Sequence, residues 1–136
     1  MFDSMFGMTN ALEKGLDACA LRNQVIADNI ANADTPGFKA SRVKFEEYVK
    51  SAIEEGGGFA LKKTRGKHMD IGTPGVEGVR PQVVADTGTT MRMDGNNVDV
   101  EYEMNELAKN NIEYYALLQK MNSEFIRLRT AITEGR

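Results

Sequence analysis

Cysteine occurs once, at Cys19, so no disulfide can form within the chain. Histidine also occurs once, at His68, in a glycine-rich stretch with nothing beside it to orient the ring. A catalytic Cys–His pair therefore has no support in the pattern. No apolar run approaches the roughly 18 residues of a membrane-spanning helix. The first basic residue is Lys14, and Met1, Phe2, Met5, Phe6 and Met8 are scattered rather than contiguous. No cleavable secretory signal is expected from that pattern, and export would need a route that does without one. Charge excess of either sign is also lacking: 17 basic and 20 acidic residues leave a net value of −3, which does not favour nucleic acid. No phosphate loop, nucleophile elbow or zinc-ligand spacing is present, so nothing points to an enzyme, a cofactor or a small-molecule substrate.

What the chain does have is two apolar heptads, one at each end. The N-terminal series is Leu12, Leu16, Cys19, Asn23, Ile26, Ile30, in steps of four and three. The C-terminal series is Val100, Met104, Leu107, Asn111, Tyr114, Leu118, Met121, Phe125, Leu128, Ile132. This spacing lays a narrow apolar stripe along each helix, the seam of a coiled coil. Neither stripe can stay in water, so each needs a partner: the other end of the same chain, or another subunit. The fold expected is mainly α, with two long terminal helices in a coiled-coil-like hairpin and a glycine-rich middle that is partly β or disordered. At 136 residues the chain is one domain with a modest core.

The first helix is expected over residues 9–33, and a Met-rich lead of residues 1–8 either extends it or docks in a partner's groove. Pro36 disfavours helical geometry at Thr35 and ends it. Thr35-Pro36-Gly37-Phe38 fits a type II turn, with glycine where φ is positive. Within the turn-and-helix stretch 34–55, a short helix is expected over 41–55, with Phe45, Val49, Ala52 and Ile53 on one face. Residues 56–95 hold nine of the thirteen glycines and two of the three prolines, which rules out a useful helix there. Residues 56–80 are expected to order only against a partner. Residues 81–95 are expected to form a small hairpin of 82–85 and 89–92, with a turn at Asp94-Gly95. The second helix is expected over 99–133, capped by Asn96, Asn97 or Asp99, with Glu101 and Glu103 at its positive end. If the helices are antiparallel and their seam asparagines meet, Asn23 faces Asn111, Leu16 faces Leu118, Leu12 faces Asn122 and Ile30 faces Met104.

Two smaller groupings have plain readings. Lys62, Lys63, Arg65, Lys67 and His68 form a basic cluster without aromatic interleaving, which reads as a solvated loop rather than a site for an anionic partner. Asp94-Gly95-Asn96-Asn97-Val98-Asp99 is rich in oxygen ligands but lacks the spacing of a calcium loop, so a turn into a capped helix explains it without a metal.

The run from Asn23 to Lys39, NQVIADNIANADTPGFK, closely resembles the N-terminal signature of bacterial flagellar rod and hook proteins. That signature is an Asn-Ile-Ala-Asn core (from Asn29 to Asn32 here), a short spacer, then Thr35, Pro36, Gly37, aromatic Phe38 and Lys39. The stretch from Met91 to Met104, MRMDGNNVDVEYEM, resembles the C-terminal block of a proximal rod subunit of the family. A sister rod subunit usually has proline after the Val-Asp pair, where this chain has Val100. Hook and distal-rod proteins carry a large inserted domain that has no room here. The resemblance implies a structural subunit of the rod, exported by the flagellar type III apparatus and self-assembling on the periplasmic side of the inner membrane. It implies other rod proteins, the membrane ring and the export gate as partners. On that reading the two seams drive assembly, and within the family motif of Asn29, Asn32, Thr35, Pro36, Gly37 and Phe38 the turn from Thr35 to Phe38 aims the chain out of the inner layer. Another rod subunit, or a cytoplasmic coiled-coil adaptor, is the alternative.

Overall fold

The computed structural model describes residues 2–50 and 79–134. Two long helices dominate it. Helix α1 spans Phe2–Ala31 and helix α2 spans Val100–Glu134. They pack antiparallel. Asn23 meets Asn110, and a methyl built on Gly15 would sit 3.2 Å from Leu117 Cδ1. Between them in sequence lie strands β1 (Ser41–Lys44) and β2 (Gln82–Ala85), paired antiparallel with Ser41 opposite Ala85 and Lys44 opposite Gln82.

Helix α1 begins earlier than the heptad suggests and stops two residues sooner. The backbone thus takes the first of the two courses open to the Met-rich lead, extension of the helix. At its end, Asn32 N–H is shared between Asp28 O at 3.1 Å and Asn29 O at 3.2 Å, and Ala33 N–H donates to Ile30 O. The final turn therefore tightens to i→i+3 bonds, a common way of using up terminal carbonyls. Phe38 N–H then donates to Thr35 O at 3.3 Å, and Gly37 takes φ +72°, closing the tight turn around Pro36. Helix α2 starts where Asp99 Oδ1 accepts the backbone N–H of Glu101 (3.0 Å) and Tyr102 (3.2 Å), an N-cap.

Residues 41–55 do not form a single helix. Residues 41–44 are extended in β1 and, among the described residues, 46–50 are helical; residues 51–55, Ala52 and Ile53 with them, lie outside the described residues. The cause is tertiary. Asn29 clamps Ser41 from α1, and β2 pairs along the strand. Residues 89–92 likewise form no strand, and β2 pairs with β1 rather than with them. Met91 and Arg92 instead donate their N–H groups to Asn96 O, closing a compact loop. The basic cluster at 62–68, together with the stretch 56–78, lies outside the described residues.

Burial falls in two places. Along the helix pair it takes in Leu12, Ala18, Cys19, Val25, Ile26 and Met121. At the end of α1 a small cluster of Ala33, Ala40 and Val98 packs with half-buried Phe38.

Candidate assembly site

The corner beyond α1 is built from asparagines that stand in for backbone. Asn29 accepts Ser41 N–H at 2.9 Å and donates to Ser41 O at 2.8 Å, so its amide pairs with β1 as a neighbouring strand would. Asn96 is fully buried. Its Nδ2 lies within 3.0 Å of the carbonyls of Asn32, Ala33 and Thr35, and its Oδ1 accepts Val98 N–H at 2.7 Å. Asn97 accepts Ala40 N–H at 2.7 Å and donates to Asp86 O and Thr89 Oγ1. Asn32 serves its own helix end, donating to Asp28 O at 2.8 Å and accepting from Thr35 Oγ1. The two motif-rich segments of the sequence are thus one physical unit: the second motif hydrogen-bonds the backbone end left open by the first. Gly37 and Gly95, both at positive φ, meet there, and Gly37 N–H donates to Asp94 O at 2.9 Å. Lys39 and Arg92 close the rim, Lys39 on the carbonyls of Thr89 and Gly95, and Arg92 on Ala33 O and the Asp34 carboxylate. The oxygen-rich stretch 94–99 therefore spends its side chains on backbone donors and acceptors. Among the described residues no group of acidic, cysteine or histidine side chains is placed to hold a metal.

In the groove between the helices, Asn110 is the polar centre. It donates to Cys19 O and to Asn23 Oδ1, both at 2.8 Å, and accepts from Arg22 at 3.2 Å. Arg22 also bonds Glu113 at 3.1 Å and Glu46, joining α1, α2 and the segment after β1. Burial opposes the charge on Arg22, but the hydrogen bond and charge of Glu46, with Glu113 behind it, outweigh burial and raise its pKa. Burial likewise pushes the Glu46 carboxyl up, yet the Arg22 bond carries it below the usual value. Burial pushes the Cys19 thiol up, reinforced by Glu113. That thiol is a packing group, not a nucleophile.

The placement of the heptad residues differs between the helices. On α1, Leu12, Cys19 and Ile26 are buried and Leu16, Asn23 and Ile30 half-buried. On α2 the inward row is Glu103, Leu107, Asn110, Tyr114, Leu117, Met121, Glu124 and Leu128, every one buried or half-buried. Leu107, Tyr114, Met121 and Leu128 belong to the expected seam. Val100, Met104, Asn111, Leu118, Phe125 and Ile132 do not face α1; they are exposed, Met104 by 57%, Phe125 by 52% and Ile132 by 78%. The expected pairing of Asn23 with Asn111 is corrected to Asn110, and Leu118, Asn122 and Met104 do not face the α1 residues assigned to them. The physical reason is that polar residues fill the inward row. Asn110 is fully paired, Glu124 is held by Lys120 and Arg127, and Glu103 lies beside Arg42. Such partners let polar side chains occupy positions that an apolar pattern passes over. At about 100° per residue the expected stripe bisects one broad apolar face. Helix α1 covers one flank of that face. Met104, Leu118, Phe125 and Ile132 line the other, and Ile112, Tyr115 and Ile126 continue it round the helix.

Comparison with known proteins gives this arrangement its context. A profile of the family described as flagella basal body rod protein matches residues 10–39, most of α1 and the Thr-Pro-Gly turn. The chain is 37% identical over 130 residues to the flagellar basal body rod protein FlgB of Bacillus subtilis, covering 96% of each chain. It is 38% identical over 133 residues to that of Aeromonas hydrophila, covering 96% of this chain and 94% of the relative. With that of Borreliella burgdorferi the identity is 39% over 105 residues, 75% of this chain and 78% of the relative. Similarity across both helices and the corner defines a component of the flagellar basal body rod, a structural part of the motility apparatus. The chain belongs to the FlgB family of these rod proteins. That is a family of structural subunits, not of enzymes. No helix among the described residues is long and apolar enough to cross a membrane.

Proposed function

We propose that this chain is a proximal-rod subunit, exported by the flagellar type III apparatus and self-assembling into the helical drive shaft on the periplasmic side of the inner membrane. Its partners are other rod proteins and, at the rod base, the membrane ring and export gate. Its role is mechanical: it performs no catalysis and needs no cofactor. The observation that carries this reading is the uncovered flank of α2. Contiguous apolar patches of this kind are uncommon on proteins that stay monomeric and mark interaction surfaces. The flank continues the surface already packed on α1, so a neighbour seated on it extends one core rather than starting another. The two seams, Leu12 to Ile30 and Val100 to Ile132, divide the work: the first with Leu107, Tyr114, Met121 and Leu128 builds the subunit, and the exposed remainder joins subunits. The corner at Asn29, Asn32 and Thr35 to Phe38 fixes the direction in which the chain leaves the helix pair. A thin core supports export as an unfolded chain, since little packing must be undone.

The test is deletion of the gene in its host, imaging of isolated basal bodies, and complementation. Rings without rod or hook are expected. Restoration is expected from the wild-type gene and not from Leu118→Asp or Phe125→Asp, provided both variants are exported. Intact rotating flagella in the deletion strain, or full rescue by both aspartate variants, would overturn the proposal.

A further inference from the structure

Glu103, in the inward row of α2, is accounted for only in part by the packing of the helix pair. Its side chain is 1% exposed, packed at the start of α2 against α1 and β1. Its nearest cation, Arg42 Nη2, is 3.6 Å from Oε1, beyond hydrogen-bond reach, and lies over the Tyr102 ring at 4.5 Å. Glu103 Oε2 has no hydrogen-bond partner among the described residues. A buried carboxylate in that state carries a desolvation cost that its surroundings offset only in part.

The surroundings can accept one more cation. Glu103 lines a cavity of about 130 Å³ together with Arg22, Ser41, Arg42, Tyr102 and Glu106. A second hollow of about 340 Å³ adds Glu46, Lys109 and Glu113. Three cations thus face four carboxylates. Arg22 is shared by Glu46 and Glu113, and Lys109 holds Glu106 at 2.6 Å. That leaves Arg42 as the cation for Glu103, at 3.6 Å from Oε1, with Oε2 unbonded among the described residues. The cavity is several times the roughly 30 Å³ that one water occupies, which suits a guanidinium head. Tyr102, half-exposed, lines it, and Met104 opens the uncovered apolar row beside it.

That row also carries a cation. Continued in steps of four and three, Met104, Asn111, Tyr115, Leu118 and Phe125 lead to Arg129. Arg129 is exposed at the end of this row, which also holds Asn111 and Asn122, and has no ion-pair partner among the described residues. Its neighbour Arg127 is held by Glu124 at 3.1 Å. Glu103 and Arg129 stand about 39 Å apart along one helix, at 1.5 Å per residue, and cannot meet within a chain.

We propose that the cavity at Glu103 receives the guanidinium of Arg129 from a second copy of this chain. The contact joins the start of one α2 to the end of another, a head-to-tail pair that repeats without closing. It rests on the assembly reading above and names the contact that sets its polarity and stagger.

Sedimentation of the purified full chain at rising concentration tests it. Arg129→Glu is expected to raise the concentration needed for assembly by at least about tenfold. Arg127→Glu, off the row and already paired, is expected to shift it less than about twofold. Glu103→Lys should fail like Arg129→Glu, and an equimolar mixture of the two should assemble, because each copy then complements the other. No rescue from a mixture of variants that keep the wild-type circular dichroism would overturn the pair, as would equal effects at 127 and 129. If Glu103→Lys does not fold, Glu103→Gln and Arg129→Gln decide: a double variant no worse than either single supports the pair, and additive losses overturn it. Assembly that stops at a closed dimer also overturns it. A wild-type chain that never assembles sinks the assembly reading with it; a wild type that assembles no better than Arg129→Glu sinks the pair alone.

Discussion

The corner and the helix pair solve the same problem, burying backbone and side chains in a small molecule, by opposite means. The corner has almost nothing apolar beyond Ala33, Ala40, Val98 and Phe38, and is held by amide side chains that imitate strand and helix bonds. The helix pair is held by an apolar stripe with a few paired polar groups set into it, and it leaves half of its widest face uncovered. Directional bonds specify one geometry and tolerate little substitution. An apolar stripe is tolerant, and can be shared with a neighbour. The difference teaches that the corner sets shape while the helices supply adhesion.

The sharpest way to break the corner is Asn96→Asp. It is nearly isosteric and keeps the acceptor for Val98 N–H, but it points an oxygen at three carbonyl oxygens. A loss of about 3 kcal/mol is expected in urea unfolding of the monomer. An effect below about 1 kcal/mol would show that the corner does not fold with the helices.

A matched pair on α2 separates the covered flank from the open one. Met121→Ala, at a position 9% exposed, is expected to cost about 2 kcal/mol. Phe125→Ala, larger in volume but half-exposed, should stay within about 0.5 kcal/mol for the monomer. Equal costs would mean that the monomer in solution covers Phe125.

Gly37→Ala tests the turn. Its φ of +72° strains any side chain, and nothing lies within 4 Å of the added methyl, so the cost is backbone alone. About 1–2 kcal/mol is expected from the same unfolding curves.

The smallest effect is that of acid. The Glu46 carboxyl is lowered from its ordinary 4.5 by Arg22. A group depressed in the folded state stabilises above its unfolded pKa, and the contribution is lost as pH falls through the folded value. Glu46 is 61% exposed, so solvent screening keeps that contribution below about 1 kcal/mol. Thermal melts from about pH 6 to about pH 3 should show a small acid loss that Arg22→Met reduces. An identical acid limb in both proteins would remove Glu46 from the account.

Local chemistry was legible in the sequence: the turn at Thr35-Pro36-Gly37-Phe38, the positive φ at Gly37, the cap at Asp99 and the existence of both long helices each depend on a few adjacent residues, although α1 ends at Ala31, two residues short of the expected 33. Beyond that, periodicity misleads in an instructive way. It marked Val100, Met104, Leu118, Phe125 and Ile132 as a seam because it counts apolar residues without regard to which neighbour covers them. Asn110 and Glu124, which do face α1, were invisible to it because their polarity is cancelled by partners such as Cys19 O, Asn23 and Arg127, and Glu103 because a charged residue does not count toward an apolar period.

By itself, then, the sequence determined the two helices and the turn between α1 and β1, since hydrogen-bond geometry and side-chain period act over a few residues. Only the tertiary structure decided that Ser41–Lys44 is a strand, that Asn29, Asn96 and Asn97 form one corner, and which flank of α2 faces α1. Each of those depends on groups tens of residues apart meeting in space, where an amide can replace a backbone partner and a buried charge can be matched.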